Sequence, residues 1–202
     1  MKERPILFSG AMARALLNGS KTQTRRAVKL PHHNPLGQWE PSTVGGPDGG
    51  RLADGTTIPL QGSIWHTRTG DNLMCPYGQP GDRLWVRETH SFVPDSEDAA
   101  GCSAVLYSAD CQQYGKLRPS IHMPRWASRT TLEITGVRVE RLQDISEAEC
   151  RAEGCAGGHG SIPGYQYNAT PSEHFQRIWQ STGGDWDANP WVWVIEFRRI
   201  KP

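Results

Sequence analysis

Trp191-Val192-Trp193-Val194-Ile195-Glu196-Phe197 is the segment that most restricts the fold, because it starts apolar on both faces of an extended strand. A strand with one side in water alternates apolar and polar residues; one without alternation is covered on both sides. It reads as a buried closing strand. With 202 residues and 36% hydrophobic content, the chain can bury one real core and is too short for two comfortable ones. The expectation is one domain over 1–202.

The remaining elements are short. Pro5-Ile6-Leu7-Phe8 reads as a strand, and Ser9 or Gly10 starts a helix with Met12, Ala15 and Leu16 at helical spacing. Asn18-Gly19 supplies the stop. Residues 31–74 show no sustained period and carry eight glycines and five prolines, the mark of an inserted loop that is either a functional flap or disordered. In Arg83 to Thr89, Leu84 and Val86 share a face with Glu88, so a carboxylate points where the core should be and needs a partner. Its simplest partner is a structural arginine. Ala104 to Tyr107 and Arg129 to Leu142 read as strands, the second with a bulge or bend at Gly136. Ser146-Glu147-Ala148-Glu149 is a capping box opening a short helix that carries Cys150 and Glu153 and stops at Gly154. Thr170-Pro171 opens another helix, with Phe175, Ile178 and Trp179 inward.

Twenty-two basic residues stand against 21 acidic ones, so no overall field demands a polyanion. The charge is uneven, however: residues 1–30 hold seven Lys/Arg against Glu3 alone, for +6, while five basic and eight acidic residues from 143 onward give −3. A local basic face suits a phosphate-bearing ligand and suits an ordinary solvated surface equally. Five cysteines, no CxxC pair and no secretory leader point to reduced thiols in the cytoplasm. No apolar run approaches the ~20 residues of a membrane span.

The chemistry concentrates in Gly19-Ser20-Lys21-Thr22-Gln23-Thr24-Arg25-Arg26, where an amine, a hydroxyl three residues on and two guanidinium groups follow a helix end. A base, a nucleophile and an anion clamp can meet there. Each has an ordinary explanation as well: a lysine after a helix C-terminus is favoured by the helix dipole, and a threonine entering a strand by β-propensity.

That segment, Pro80-Gly81-Asp82-Arg83-Leu84-Trp85-Val86, the Leu142 to Gly154 stretch and the final Val194-Ile195-Glu196-Phe197 together resemble the ASCH domain family. Cys75-Pro76-Tyr77-Gly78 and His122-Met123-Pro124-Arg125-Trp126 give the chain the look of the longer ASCH proteins of phages and prophages. The resemblance implies an α+β fold, a PUA-like mixed β-barrel with short peripheral helices, and a role with RNA or nucleosides. Some small members are amidohydrolases that convert N4-acetylcytidine to cytidine and acetate. By that resemblance the catalytic set falls on Lys21, Thr24 and Glu153, and Arg26 matches the motif's arginine; Arg25, Glu88, His122, Arg125 and Trp126 are further candidates toward the substrate, the Trp126 region and the inserted loop being departures from the small enzymes. It implies no cofactor and no metal. The implied partner is a modified nucleoside or RNA, with no membrane and no obligate protein partner.

The chemistry is consistent with those roles. Amide hydrolysis through an acyl intermediate needs a hydroxyl, a group to take its proton, an oxyanion donor and an acid for the leaving amine. Lys21 serves as base only if burial and Arg25 or Arg26 pull its pKa well below about 10.4. This reading expects Lys21→Ala and Glu153→Ala to abolish turnover with the thermal midpoint nearly unchanged.

Other readings stay open. The chain can be a non-catalytic RNA module, with Arg25, Arg26, Arg125 and Lys29 holding phosphates while Trp126 or His122 stacks on a base. A ribonuclease using Lys21, Glu88 or a histidine is a further alternative, although no HxH or paired-His pattern supports it. Cys75, Cys102, Cys111 and His122 match no standard zinc spacing.

Overall fold

The computed structural model describes residues 1–46, 50–51, 54–97 and 104–200. In chain order the elements are β1 (Glu3–Leu7), α1 (Gly10–Leu17), β2 (Gln23–Ala27), β3 (Trp39–Val44), β4 (Gly50–Arg51), β5 (Thr57–Ile58), β6 (Gln61–His66) and β7 (Asn72–Met74). There follow β8 (Arg83–Arg87), β9 (His90–Phe92), β10 (Val105–Tyr107), β11 (Thr131–Arg141), α2 (Glu147–Ala152), α3 (Pro171–Ser181) and β12 (Trp191–Ile200). The fold is α+β and rich in sheet. Among the described residues no helix is long and apolar enough to cross a membrane.

The main sheet runs β1-β8-β11-β12-β2, with β1 and β8 parallel and the other neighbours antiparallel. β1 and β2 remain its edges, so among the described residues the expected closed barrel does not form; the sheet is open. β12 explains the double-faced apolar segment. Trp193, Ile195 and Phe197 enter the main core with Ile6, Phe8, Leu84 and Leu132, while Val192 and Val194 join Leu142, Cys150, Cys155 and Phe175 in a second cluster beneath α2 and α3. The register of β11 against β12 shifts between Ile134 and Gly136, at the anticipated bend.

Residues 31–74 are not a structureless loop. β3, β6 and β7 form an antiparallel sheet, β4 and β5 a hairpin, and Trp39 and Ile64 are part of the main core. β6 crosses β11 so closely that a Cβ on Gly62 would lie 2.6 Å from the Arg138 Cα, which only glycine allows. Cys102 lies outside the described residues, which stop at Glu97 and resume at Ala104.

Candidate functional site

The site forms where a helix end, a sheet edge and a helix stop meet. Ser9 caps α1 by accepting the Met12 N–H, and Asn18 ends it. The chain then reverses, and Lys21 pairs through its backbone with Glu153 in an isolated antiparallel bridge. On the other side the Ser146–Glu149 capping box starts α2, and Glu153 is its C-cap rather than a residue inside it. Gly154 follows at φ +91, where a Cβ would lie 2.7 Å from that of Ala15 and 3.5 Å from that of Lys21. Glycine therefore lets the α2 stop dock against the end of α1.

The Lys21 ammonium donates to the Glu153 carboxylate Oε2 at 2.7 Å and to the Glu153 carbonyl at 2.8 Å. Both side chains are nearly sealed, at 0% and 3% exposure. Burial pushes the Lys21 pKa below its usual value; Glu153 opposes that shift and Arg26 adds to it.

Alternation along β2 sends Arg25 and Arg26 to opposite faces. Arg25 is fully buried among carboxylates, with Nη2 3.0 Å from Glu140 and 3.2 Å from Glu149, and Nη1 3.5 Å from Glu153. It is thus an interior charge, not the rim cation the sequence suggested. Arg138, bonded to Glu140, Glu149 and Glu196, completes the balance of charge around it. Arg26, on the other face, donates 3.0 Å to the Thr24 hydroxyl, 3.0 Å to the Arg25 carbonyl and 2.8 Å to the Leu7 carbonyl. The Lys21 Nζ and the Arg26 Cζ lie over the Phe8 ring, at 5.4 and 5.7 Å from its centroid. Thr24 itself is 0% exposed.

A cavity of about 700 Å³ opens onto this cluster, with Arg25, Arg26 and Glu153 on its polar side and Phe8, Met12, Phe175, Ile178 and Trp179 on its apolar side. Its volume falls in the range of small-molecule sites. Arg25 Nε and Trp179 Nε1 are buried without a hydrogen-bond partner among the described residues, while Arg25 Nη1 and Glu153 Oε1, also without a hydrogen bond, face each other at 3.5 Å. An unsatisfied buried polar atom costs free energy, so Arg25 and Trp179 keep donors that a group entering the cavity can meet.

The other candidates lie elsewhere. Glu88 is buried and receives two 2.9 Å hydrogen bonds from Arg129, which also bonds Asp110. That is the structural ion pair, and no bond in the described residues ties Glu88 to Lys21 or Arg26. Arg125 makes a two-pronged ion pair with Glu3 at 2.9 and 3.0 Å. Trp126 is 66% exposed and stacked on Phe92. His122 borders a second cavity, beside Phe92 and Arg118. No group of three or more His, Cys, Asp or Glu among the described residues could hold a metal ion. Cys75 and Cys111 are free.

Several site residues escaped the sequence reading. Phe8, Phe175 and Trp179 signalled only burial, and Glu140 and Glu149 are separated from Arg25 by more than a hundred residues. Tyr77, in the quoted Cys75-Pro76-Tyr77-Gly78 run, lies beside the Arg26 guanidinium. No family model, no curated protein and no solved structure matches this chain.

Proposed function

We propose that the chain is an ASCH-type, PUA-like domain of the cytoplasm that hydrolyses the amide of an N4-acylated cytidine, N4-acetylcytidine going to cytidine and acetate. The observation that carries this reading is a cavity sized for a nucleoside whose polar lining includes Glu153 and Arg26, with Lys21 bonded to Glu153 and Thr24 bonded to Arg26 directly behind that lining. The apolar wall of Phe8, Phe175 and Trp179 offers the pyrimidine a stacking surface.

In this mechanism Lys21, whose pKa burial lowers, first gives a proton to Glu153 across their 2.7 Å hydrogen bond, and the amine so freed takes the hydroxyl proton as Thr24 Oγ attacks the acyl carbon. Glu153 passes the proton it received to N4 as the C–N bond breaks. Arg26, already donating to Thr24 Oγ, stabilises the oxyanion. Water then attacks the acyl-threonine; Glu153 takes its proton, returns it through Lys21 to Thr24 Oγ, and acetate leaves.

Incubation of the pure protein with N4-acetylcytidine, with Thr24→Ala alongside and cytidine release followed by chromatography, tests the proposal. Release by the wild type alone supports it. No release by either contradicts it and leaves Lys21 and Arg26 as binding residues of an RNA module.

A further inference from the structure

The second cavity has the chemistry of a site for an unpaired base. Phe92 and Trp126 stack with centroids 5.3 Å apart and planes 27° from parallel, and the Arg118 guanidinium lies 4.9 Å over the Phe92 ring. The cavity, about 690 Å³, is lined by Phe92, Tyr114, Lys116, Arg118, Pro119 and His122. Among the described residues neither Lys116 nor Arg118 has an ion-pair partner, and no acidic side chain lines the cavity. Trp126 is outside the cavity's own lining and meets it through Phe92; its indole, 66% exposed, turns an apolar ring face to solvent, which is a poor surface for water. It is a good one for a base joined to a phosphate.

Three features hold the platform in place. Tyr107 Oη donates to the Ala127 carbonyl at 2.9 Å, Ser128 Oγ donates to the Val86 carbonyl at 2.7 Å, and Arg87 donates to the Ile121 carbonyl. Trp126 therefore sits on a turn anchored at both ends, and little ordering remains to be done on binding. The 3-10 turn Ser120–His122 joins this cavity to the first one: Ser120 lines the cavity that holds Glu153, and His122 lines the other.

We infer that the substrate is a cytidine within single-stranded RNA, with the acylated base in the Glu153 cavity, a flanking base on the Phe92–Trp126 platform, and Lys116 and Arg118 on the connecting phosphates. This rests on the hydrolase reading of the first cavity and adds the polymer to it. A free nucleoside fills only one of the two cavities.

The test compares N4-acetylcytidine with a pentaribonucleotide carrying the same nucleoside at its centre, using wild type and Trp126→Ala, and titrates both proteins with the unmodified pentamer. The expected result is a kcat/KM for the pentamer at least about 10-fold above that of the nucleoside, with Trp126→Ala lowering the pentamer value by about 10-fold. Lys116→Ala and Arg118→Ala should each flatten the dependence of pentamer binding on salt. Equal kcat/KM for the two substrates overturns the inference while leaving the hydrolase standing. If neither substrate is hydrolysed, the hydrolase reading has failed and the titration decides: pentamer binding weakened by Trp126→Ala keeps the platform. Absent binding, or binding insensitive to Trp126, overturns it and marks the aromatic surface as a contact for something other than RNA.

Discussion

Lys21→Ala removes the cation from a carboxylate that is 3% exposed. Deleting one partner of a buried pair costs about 3–5 kcal/mol, because the other charge stays behind uncompensated. Here Arg25 remains 3.5 Å from the opposite oxygen of Glu153, which sets the cost near the lower end, at about 3 kcal/mol. For a chain of this size each kcal/mol moves the midpoint by about 2–4 °C, so Tm should fall by about 6–12 °C. Glu153→Ala should cost less, since the stranded Lys21 can lose its proton and burial already pushes its pKa down. The double variant Lys21→Ala/Glu153→Ala should cost less than the sum of the singles by about 2 kcal/mol, a coupling typical of residues in contact. Urea and thermal unfolding of the four proteins measure the cycle. A single-variant shift under about 2 °C, or additivity within about 0.5 kcal/mol, would refute the reasoning. The sealing of both side chains argues against the nearly unchanged midpoint expected from sequence, and the unfolding cycle decides between the two.

Three further perturbations have defined outcomes. Gly62→Ala should destabilise by about 1–3 kcal/mol in chemical denaturation, because its Cβ must displace the Arg138 backbone rather than a flexible side chain. Burial opposes ionisation of Glu149, but Ser146, Arg25 and Arg138 outweigh it and hold the carboxyl at about 2 against its usual 4.5. The folded state thus binds fewer protons between those values, so this stability is present above pH 4.5 and drains away toward pH 2; the urea midpoint should fall through that window less steeply in Glu149→Gln. Iodoacetamide at neutral pH should modify exposed Cys111 and spare Cys75, Cys150 and Cys155 until the protein unfolds, since burial also pushes Cys155 up to about 12. Early labelling of Cys155, read by peptide mapping, would show that the second cluster opens.

Local signals carried the helices well. Ser9 and Asn18 bound α1, the two capping boxes begin α2 and α3, and alternation along β8 delivered the buried Glu88. Each of those features acts over a few residues, so it survives in one dimension. Glu88's partner did not, because Arg129 lies forty-one residues away. The 31–74 segment misled for a different reason: its strands are two to six residues long, and in β6 the buried positions Gln61, Gly62, Ser63 and His66 are polar or glycine, leaving Trp39, Ile58 and Ile64 too few to register as an apolar period. Arg25 looked like a surface cation because arginine is so rarely buried; its three carboxylates come from β11, α2 and the α2 C-cap, far along the chain. Barrel closure depends on whether edge strands meet, and nothing in the residues of β1 or β2 decides that.

The central claim is that Thr24 becomes acylated in the Lys21–Glu153 cavity, and the most direct measurement is a trapped intermediate. Rapid acid quench of the wild type during its first turnover with N4-acetylcytidine, followed by peptide mass mapping, should find one acetyl group on the peptide carrying Thr24. An unmodified Thr24 peptide at every quench time, while cytidine is released, would contradict the account, because the bond would then have been cut without the hydroxyl.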